Sequence, residues 1–176
     1  APAADGSRRR AGDIRIAAPP LAGKLQAAVP ELVRLLGESP EDERLPFDLR
    51  GGLLAYLAYA GGWLPREQVA FLFWPDTDEA SARRNLRQLL NRSKALPLVS
   101  PLELEPSRLR WPVRSDVSEL RRAVGRQQWQ EVVDLYRGDL LAGRPQVANP
   151  GFGAWLELER ENLRNTYRRA LSRLAE

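Results

Sequence analysis

The sequence contains no cysteine and no histidine. Without cysteine the chain has no disulfide bond, thiolate metal site or thiol nucleophile, which fits a reducing compartment. Without histidine it lacks the most common general base and a common metal ligand. Both absences count against an enzyme, and we predict no catalytic residue, no metal site and no cofactor.

Long apolar runs are also missing. No stretch approaches the roughly 18 apolar residues of a membrane span, and the N-terminal residues lack the apolar core of a secretory signal. We therefore expect a cytoplasmic protein without membrane contact. The 176 residues, 43% of them hydrophobic, suffice for one large domain or two small ones. A net charge of +4 suits a polyanionic partner, but the position of the charge is more informative than its total.

One basic stretch, from Ala80 to Ala95, has no acidic residue at all. Small or apolar residues recur in it at the spacing of one helix face, which predicts a helix over 78–95 with one side against a core. This inner face comprises Ala82, Leu86, Leu89, Leu90 and Ser93. The acids Asp76, Asp78 and Glu79 come just before, where they are expected to cap the first turn and not to bind a metal.

The opposite face of this helix carries Arg84, Gln88 and Asn91, with basic residues on its flanks. Such a face is often only solvated surface. Arg, Gln and Asn are, however, the side chains that pair bidentately with base edges, and a helix without acids has no internal salt bridges. We therefore predict a DNA recognition helix in the major groove. Its predicted base contacts are Arg84, Arg87, Gln88 and Asn91, and the predicted phosphate contacts are Arg83, Arg92, Lys94, Arg66, Arg108 and Arg110.

The residues before this helix predict two more helices. LLAYLAYAGG, opened by Gly51-Gly52, is apolar nearly all round and predicts a central helix that ends at its own glycine pair. REQVAFLFW predicts a second helix with Pro65 at its first position. LPFDLR, at 45–50, alternates like a short strand, and together with part of 14–44 it predicts a small N-terminal sheet. Residues 1–13 predict a disordered basic tail.

Alternating apolar residues around a Pro-Ser turn predict a β-hairpin at 98–111. The order helix, turn, helix, hairpin is typical of a winged helix-turn-helix, which we assign to 14–113 with the hairpin as its wing. Arg108 and Arg110 belong to the second strand of this wing. Trp74 and Trp111 are expected in the core, although stacking on bases is the alternative.

Residues 114–176 predict a helical domain. DVSELRRAVGRQQWQEVVDLYRGDLLAG predicts two amphipathic helices, with Asp116 or Ser118 as the first N-cap, that resemble one hairpin of a helical repeat. RPQVANPGFG predicts a loop in which Gly151-Phe152-Gly153 form a turn. The last helix then begins near Ala154, and its apolar stripe has no partner left to pack on. This stripe comprises Leu156, Leu163, Tyr167, Leu171 and Leu174. We therefore expect further C-terminal domains beyond Glu176.

Two segments resemble a known bacterial family. GGLLAYLAYAGGWLPREQVAFLFWPDTDEASARRNLRQLLNRSKALP is similar to the DNA-binding domain of the regulators that include the Streptomyces antibiotic regulatory proteins. DVSELRRAV, WQEVVDLYRGDLLAG and WLELERENLR resemble the bacterial transcriptional activator domain that follows it in that family. The similarity covers about 45–176. The chain departs from the family pattern at Pro65, Ser93 and Lys94.

The resemblance implies a mainly α fold with a small β component. It implies an OmpR-type winged helix with an N-terminal sheet, followed by a tetratricopeptide-like domain that is truncated here. It also implies double-stranded promoter DNA and RNA polymerase as partners, with a homodimer on direct repeats. The alternative is a helical protein-interaction module of a larger signalling protein, in which DNA contact is secondary.

Overall fold

The structure is a computed structural model, and it describes residues 32–38, 45–46, 48–99, 101–144 and 146–176. These residues belong to one compact unit, 31–176. The helices of the described residues are α1 Leu49–Ala60, α2 Arg66–Phe73, α3 Glu79–Ser93, α4 Asp116–Gly125, α5 Trp129–Leu135 and α6 Pro150–Ala175, with a 3-10 turn at Pro97–Val99. The strands β1 Leu64–Pro65, β2 Glu103–Leu104 and β3 Arg108–Arg110 form an antiparallel sheet in the order β1-β3-β2. A mainly helical fold with a small sheet is therefore confirmed.

Helix α1 lies at the centre of the core, and every residue from Gly51 to Tyr59 is buried. It begins after Asp48, whose carboxylate accepts hydrogen bonds from the backbone N–H groups of Arg50 and Gly51. It ends at Gly61, which has a left-handed conformation with φ of 70°. The prediction of a strand over 45–50 is wrong, because the Asp48 cap starts the helix at Leu49 inside that segment.

Helix α2 begins one residue later than predicted, at Arg66. Pro65 is the residue before the helix and also the last residue of β1, where it pairs with Arg108. A proline suits this place because its missing N–H is needed neither at a helix start nor at a sheet edge. Strand β1 was not predicted from the sequence, and it connects the two helices to the predicted hairpin.

Residues 32–38 are held by two isolated bridges, between Val33 and Ser115 and between Leu36 and Leu140. The buried carboxylate of Asp116 adds hydrogen bonds from the backbone N–H groups of Leu35 and Leu36, at 2.9 to 3.0 Å. Within 32–38 and 45–46 these bridges are all that is seen of the predicted N-terminal sheet. Its remaining residues, and the predicted tail at 1–13, lie outside the described residues.

The N-cap of α4 is Ser115, so the prediction of Asp116 or Ser118 is wrong. Ser115 and Ser118 form a capping box, in which the Ser115 hydroxyl accepts from the Ser118 N–H and the Ser118 hydroxyl accepts from the Ser115 N–H. Asp116 instead turns into the core towards 35–36. The two predicted amphipathic helices are confirmed as α4 and α5.

The predicted turn at Gly151-Phe152-Gly153 is wrong, because these residues form the first turn of α6. Asn149 caps this helix, and Pro150 occupies its first position. The prediction that the stripe of α6 has no partner is wrong for most of its length. Leu156 and Leu163 are buried, and Tyr167 stacks on Tyr136 at 4.7 Å, whereas the last two members, Leu171 and Leu174, are exposed.

Apolar side chains from the whole described part of the chain form a single buried cluster. Within it, Phe152 of α6 stacks on Phe73 of α2, and Trp155 meets both Tyr56 and Tyr59 of α1 edge-on. The boundary between 113 and 114 that the sequence predicts stays a prediction.

Candidate nucleic-acid interface

The inner face of α3 is the one predicted from the sequence. All of its predicted members are buried, namely Ala82, Leu86, Leu89, Leu90 and Ser93. Ser93 is fully buried, and its hydroxyl donates to the Leu89 carbonyl oxygen at 2.9 Å, so that a polar residue is accommodated on an apolar face. The buried face fixes which residues of α3 turn outward.

The acids before α3 act at its first turn. The Asp78 carboxylate accepts from the Ser81 N–H at 3.0 Å, and hydrogen bonds from the side chain and the backbone of Ser81, with a smaller contribution from the charge of Arg84, lower the pKa of Asp78. Glu79 forms an ion pair with Arg83, one turn further along, so the expectation that this helix has no internal salt bridge is wrong at its first turn. Among the described residues no group of acids is arranged to hold a metal ion. The interpretation of Asp78 as a cap is therefore confirmed.

The outward face of α3 is basic, and apart from Arg83 its cations form no ion pair with a carboxylate of the described residues. Arg84, Arg87, Arg92 and Lys94 are exposed, and none forms an ion pair or a hydrogen bond through its side chain with another described residue. Gln88 and Asn91 are exposed between them, and their side-chain amides are equally free within the described structure. After Glu79 no acidic residue follows in the helix. The four predicted base contacts thus lie together on one solvated surface.

This surface differs from the rest of the described chain, where more than half of the arginines lie against a carboxylate. Those paired arginines are Arg50, Arg108, Arg110, Arg114, Arg122, Arg160, Arg164, Arg168 and Arg173. The Arg164–Asp139 pair illustrates the difference, since the guanidinium lowers the pKa of Asp139 and each group neutralises the other. Arg83 is the only residue among the predicted α3 contacts that has such a partner in the described structure.

The hairpin predicted at 98–111 is confirmed as β2 and β3, although 98–99 belong to the 3-10 turn, and both of its arginines are paired with carboxylates. Arg108 binds Glu105 through two hydrogen bonds, of 2.5 and 3.2 Å, and Arg110 binds Glu103 through two, of 2.8 and 3.1 Å. Both guanidinium groups also lie over the ring of Trp63, at 4.3 and 4.6 Å from its centre. The Arg108 hydrogen bond holds the pKa of Glu105 below its usual range.

Trp63, Glu103 and Glu105 were not singled out from the sequence. The spacing of a hairpin did carry a signal, because the register that places Leu104 opposite Leu109 also places Glu103 opposite Arg110. No comparable signal exists for Trp63, whose position beside the hairpin depends on the unpredicted strand β1.

Arg66, the remaining predicted phosphate contact, lies at the start of α2 and is half-buried. Its backbone N–H donates to the Ser107 carbonyl oxygen at 2.9 Å, which joins the helix start to the turn of the hairpin. Its Nε is buried without a hydrogen-bond partner among the described residues. Trp111 is buried in the core and Trp74 is half-buried beside Phe73, so the core interpretation is confirmed for Trp111.

In the described residues no helix is both long enough and apolar enough to cross a membrane. Comparison of the chain with protein-family models, with curated proteins and with solved structures finds no match. The resemblance stated above therefore depends on the quoted segments alone.

Proposed function

We propose that this chain is a sequence-specific DNA-binding transcription regulator that inserts α3 into the major groove of promoter DNA. The observation that carries the proposal is the outward face of α3, where cations and amides are exposed without partners in the described structure. Elsewhere in the fold arginine is usually neutralised by a neighbouring carboxylate. A polyanion is the partner whose chemistry matches this difference.

The geometry of the face suits a groove. From Arg84 to Asn91 a helix advances about 10 Å, which corresponds to roughly three base pairs along the duplex. Arginine pairs with the O6 and N7 atoms of guanine, and Gln or Asn pairs with the N6 and N7 atoms of adenine. We therefore assign base contacts to Arg84, Arg87, Gln88 and Asn91 and phosphate contacts to the flanking cations of α3.

The arrangement of elements supports the assignment of a winged helix-turn-helix. Strand β1 lies between α1 and α2 in sequence and pairs with β3, so the sheet connects the two-helix unit to the β2–β3 hairpin. In this interpretation α2 and α3 are the helix-turn-helix, β2–β3 is the wing, and α4 to α6 form the tetratricopeptide-like part. The family resemblance further suggests a cytoplasmic, non-enzymatic activator that recruits RNA polymerase and binds direct repeats as a homodimer.

The hairpin arginines have a secondary place in this proposal. Because Glu103 and Glu105 already occupy the guanidinium groups of Arg110 and Arg108, each pair presents almost no net charge to a phosphate. Contact with DNA then requires that the carboxylates be displaced. We therefore expect the unpaired cations of α3 to supply most of the salt-dependent attraction.

The test is fluorescence anisotropy of the full chain on duplexes selected from a random pool, compared with scrambled duplexes over a series of salt concentrations. Arg84→Ala is expected to reduce the preference for the selected duplex by about 1–3 kcal/mol at one base position. Arg92→Ala is expected to weaken both duplexes alike and to reduce the slope of log affinity against log salt by about 0.9.

Arg169→Ala is the matched control. Arg169 is exposed on α6, and its loss removes the same unit charge without touching α3. The control should leave both the preference and the slope unchanged. Failure of the wild-type chain to prefer any selected duplex contradicts the proposal, and so does an equal effect of Arg84→Ala and Arg169→Ala.

A further inference from the structure

The turn that leads into α3 is in contact with the far end of the chain. Helix α2 ends at Phe73 and α3 begins at Glu79, so only the short segment 74–78 joins α2 to the recognition helix. The last carbonyl groups of any helix lack partners within the helix. At the end of α2 the Phe73 carbonyl oxygen accepts a hydrogen bond of 2.7 Å from Nδ2 of Asn149.

The same side chain also starts α6. Oδ1 of Asn149 accepts from the Phe152 N–H at 2.8 Å, which is the N-cap interaction of that helix. The Asn149 carboxamide therefore caps the end of α2 through its Nδ2 donor and the start of α6 through its Oδ1 acceptor. Of the side chains that make good N-caps, only asparagine also carries two N–H donors.

Backbone packing brings the two helix ends together at this point. A side chain at Gly151 would overlap the carbonyl oxygen of Leu72, so only glycine allows the first turn of α6 to approach the last turn of α2 so closely. Phe152 then stacks on Phe73 with ring centres 5.6 Å apart. The start of α6 is thus fixed to the residues that immediately precede the turn into α3.

From these contacts we propose that Asn149 is a positioning residue for the recognition helix, through which the docking of α6 on α2 controls DNA binding. The inference rests on the proposed function of α3. Displacement of α6 leaves the Phe73 carbonyl without its partner and releases the start of the 74–78 turn, so the angle between α2 and α3 is no longer fixed, while the buried face of α3 still decides which of its residues turn outward. Phosphate attraction survives this change, whereas base contacts, which need exact alignment, are lost.

Asn149→Asp separates the two roles of the side chain. Aspartate caps a helix as well as asparagine does, but its carboxylate only accepts hydrogen bonds and faces the Phe73 carbonyl with no proton to donate. We expect the preference for a selected over a scrambled duplex to fall by at least about fivefold, the low end of typical coupling between sites. The affinity for scrambled duplex and the salt slope should be retained. The measurement is anisotropy at a temperature where circular dichroism shows a folded chain.

Ser115→Ala is the matched control, because Ser115 caps α4, its hydroxyl donates to the Ala58 carbonyl oxygen, and it forms no described hydrogen bond with the 74–78 turn. This variant should lower the melting temperature and keep the preference for the selected duplex. If Asn149→Asp keeps the preference for the selected duplex, the inference is contradicted but the proposed function is not. Absence of preference in the wild-type chain contradicts the proposed function, and the inference falls with it.

Hydrogen exchange on the wild-type chain decides the matter if Asn149→Asp fails to fold. Coupling between two sites is reciprocal, so DNA bound to α3 must stabilise the start of α6 by the same factor. Addition of the selected duplex is therefore expected to slow exchange of the Phe152 and Gly153 amides. Unchanged exchange at these amides, with DNA bound, overturns the inference.

Discussion

Replacement of Glu105 by glutamine is expected to strengthen the binding of the chain to DNA. Glu105 is held by Arg108 through two hydrogen bonds, and the pair also lies beside Trp63. Glutamine keeps the size of the side chain but removes its negative charge. The guanidinium of Arg108 then becomes available to a phosphate, and a repulsive carboxylate disappears from the surface of the hairpin.

The size of the effect follows from the number of phosphates that the chain neutralises. One additional phosphate contact steepens the slope of log affinity against log salt by about 0.9. Between about 50 and 200 mM salt, Glu105→Gln should therefore lose about 3.5-fold more affinity than the wild type does. At the lower salt concentration it should bind both selected and scrambled duplexes more tightly, because a phosphate contact carries no sequence information.

A double-mutant cycle with Arg108→Ala tests the assignment. The single variant Arg108→Ala leaves Glu105 unneutralised and should weaken binding, whereas the double variant should return close to the wild-type slope. Glu161→Gln is the control, since Glu161 pairs with Arg164 and Arg168 on α6 and its replacement changes the net charge equally. If Glu105→Gln and Glu161→Gln give the same slope, the hairpin does not meet the phosphate backbone and the reasoning is refuted.

Two further predictions concern the docking of α6 on α1 and α2. Phe152→Ala should lower the free energy of unfolding by about 3–5 kcal/mol in urea titrations, because the Phe152 side chain is only 1% exposed. The control Leu158→Ala should change it by less than about 0.5 kcal/mol, because Leu158 is 60% exposed. Equal losses in the two variants would show that α6 is not docked as described. Burial and the hydrogen bond to Glu159 raise the pKa of Tyr59 to about 12, so its contribution to stability is present below pH 10 and is lost as the pH rises towards 12. Urea unfolding at pH 9 and pH 11 should show this loss in the wild type, and a loss of equal size in Tyr59→Phe contradicts the assignment.

The sequence predicted α3 well because its signals are local. The spacing of Ala82, Leu86 and Leu90 defines an inner face by itself, and Asp78 supplies a cap within one turn. Both features are independent of what the helix packs against. The outward face could therefore be assigned before the fold was known, and the exposure of Arg84 and Gln88 agrees with that assignment.

Errors arose where a tertiary contact changes the meaning of a local pattern. Gly151 and Gly153 indicate a turn by composition, yet the close approach of Gly151 to the Leu72 carbonyl makes glycine necessary inside a helix. The alternation in LPFDLR suggests a strand, but α1 begins at Leu49, inside this segment. Gly51 lies so close to the Pro46 carbonyl that a side chain there would overlap it. The contact between 151 and 72 cannot be read from neighbouring residues, whereas the start of α1 had a local signal, the N-cap Asp48, that the alternation of LPFDLR obscured.

For the candidate site, too, the sequence predicted one part and the structure was needed for the other. Residue type and helical spacing suffice to identify the face of α3, but whether an arginine is free or neutralised depends on which carboxylate the fold places beside it. Arg87 and Arg110 are indistinguishable as residue types, and only the register of β2 and β3 shows that Arg110 has Glu103 as its partner. Only the structure therefore shows that the hairpin arginines are paired with carboxylates while, within the described residues, Arg87 of α3 is not.

The clustered cations of α3 repel one another, and this energetic cost helps to explain the acids at the start of the helix. Arg83 and Arg87 are four residues apart and Arg84 and Arg87 are three apart, and each such like-charge pair destabilises a helix by about 0.2–0.5 kcal/mol. Asp78 and Glu79 offset part of this cost at the first turn, where they also complement the helix dipole. Glu79 pairs with Arg83, but Arg87 has no ion pair with a carboxylate of the described residues. We propose base contacts for Arg84 and Arg87, so a DNA partner is expected to relieve the remaining repulsion, and binding of DNA and stabilisation of α3 are expected to reinforce each other.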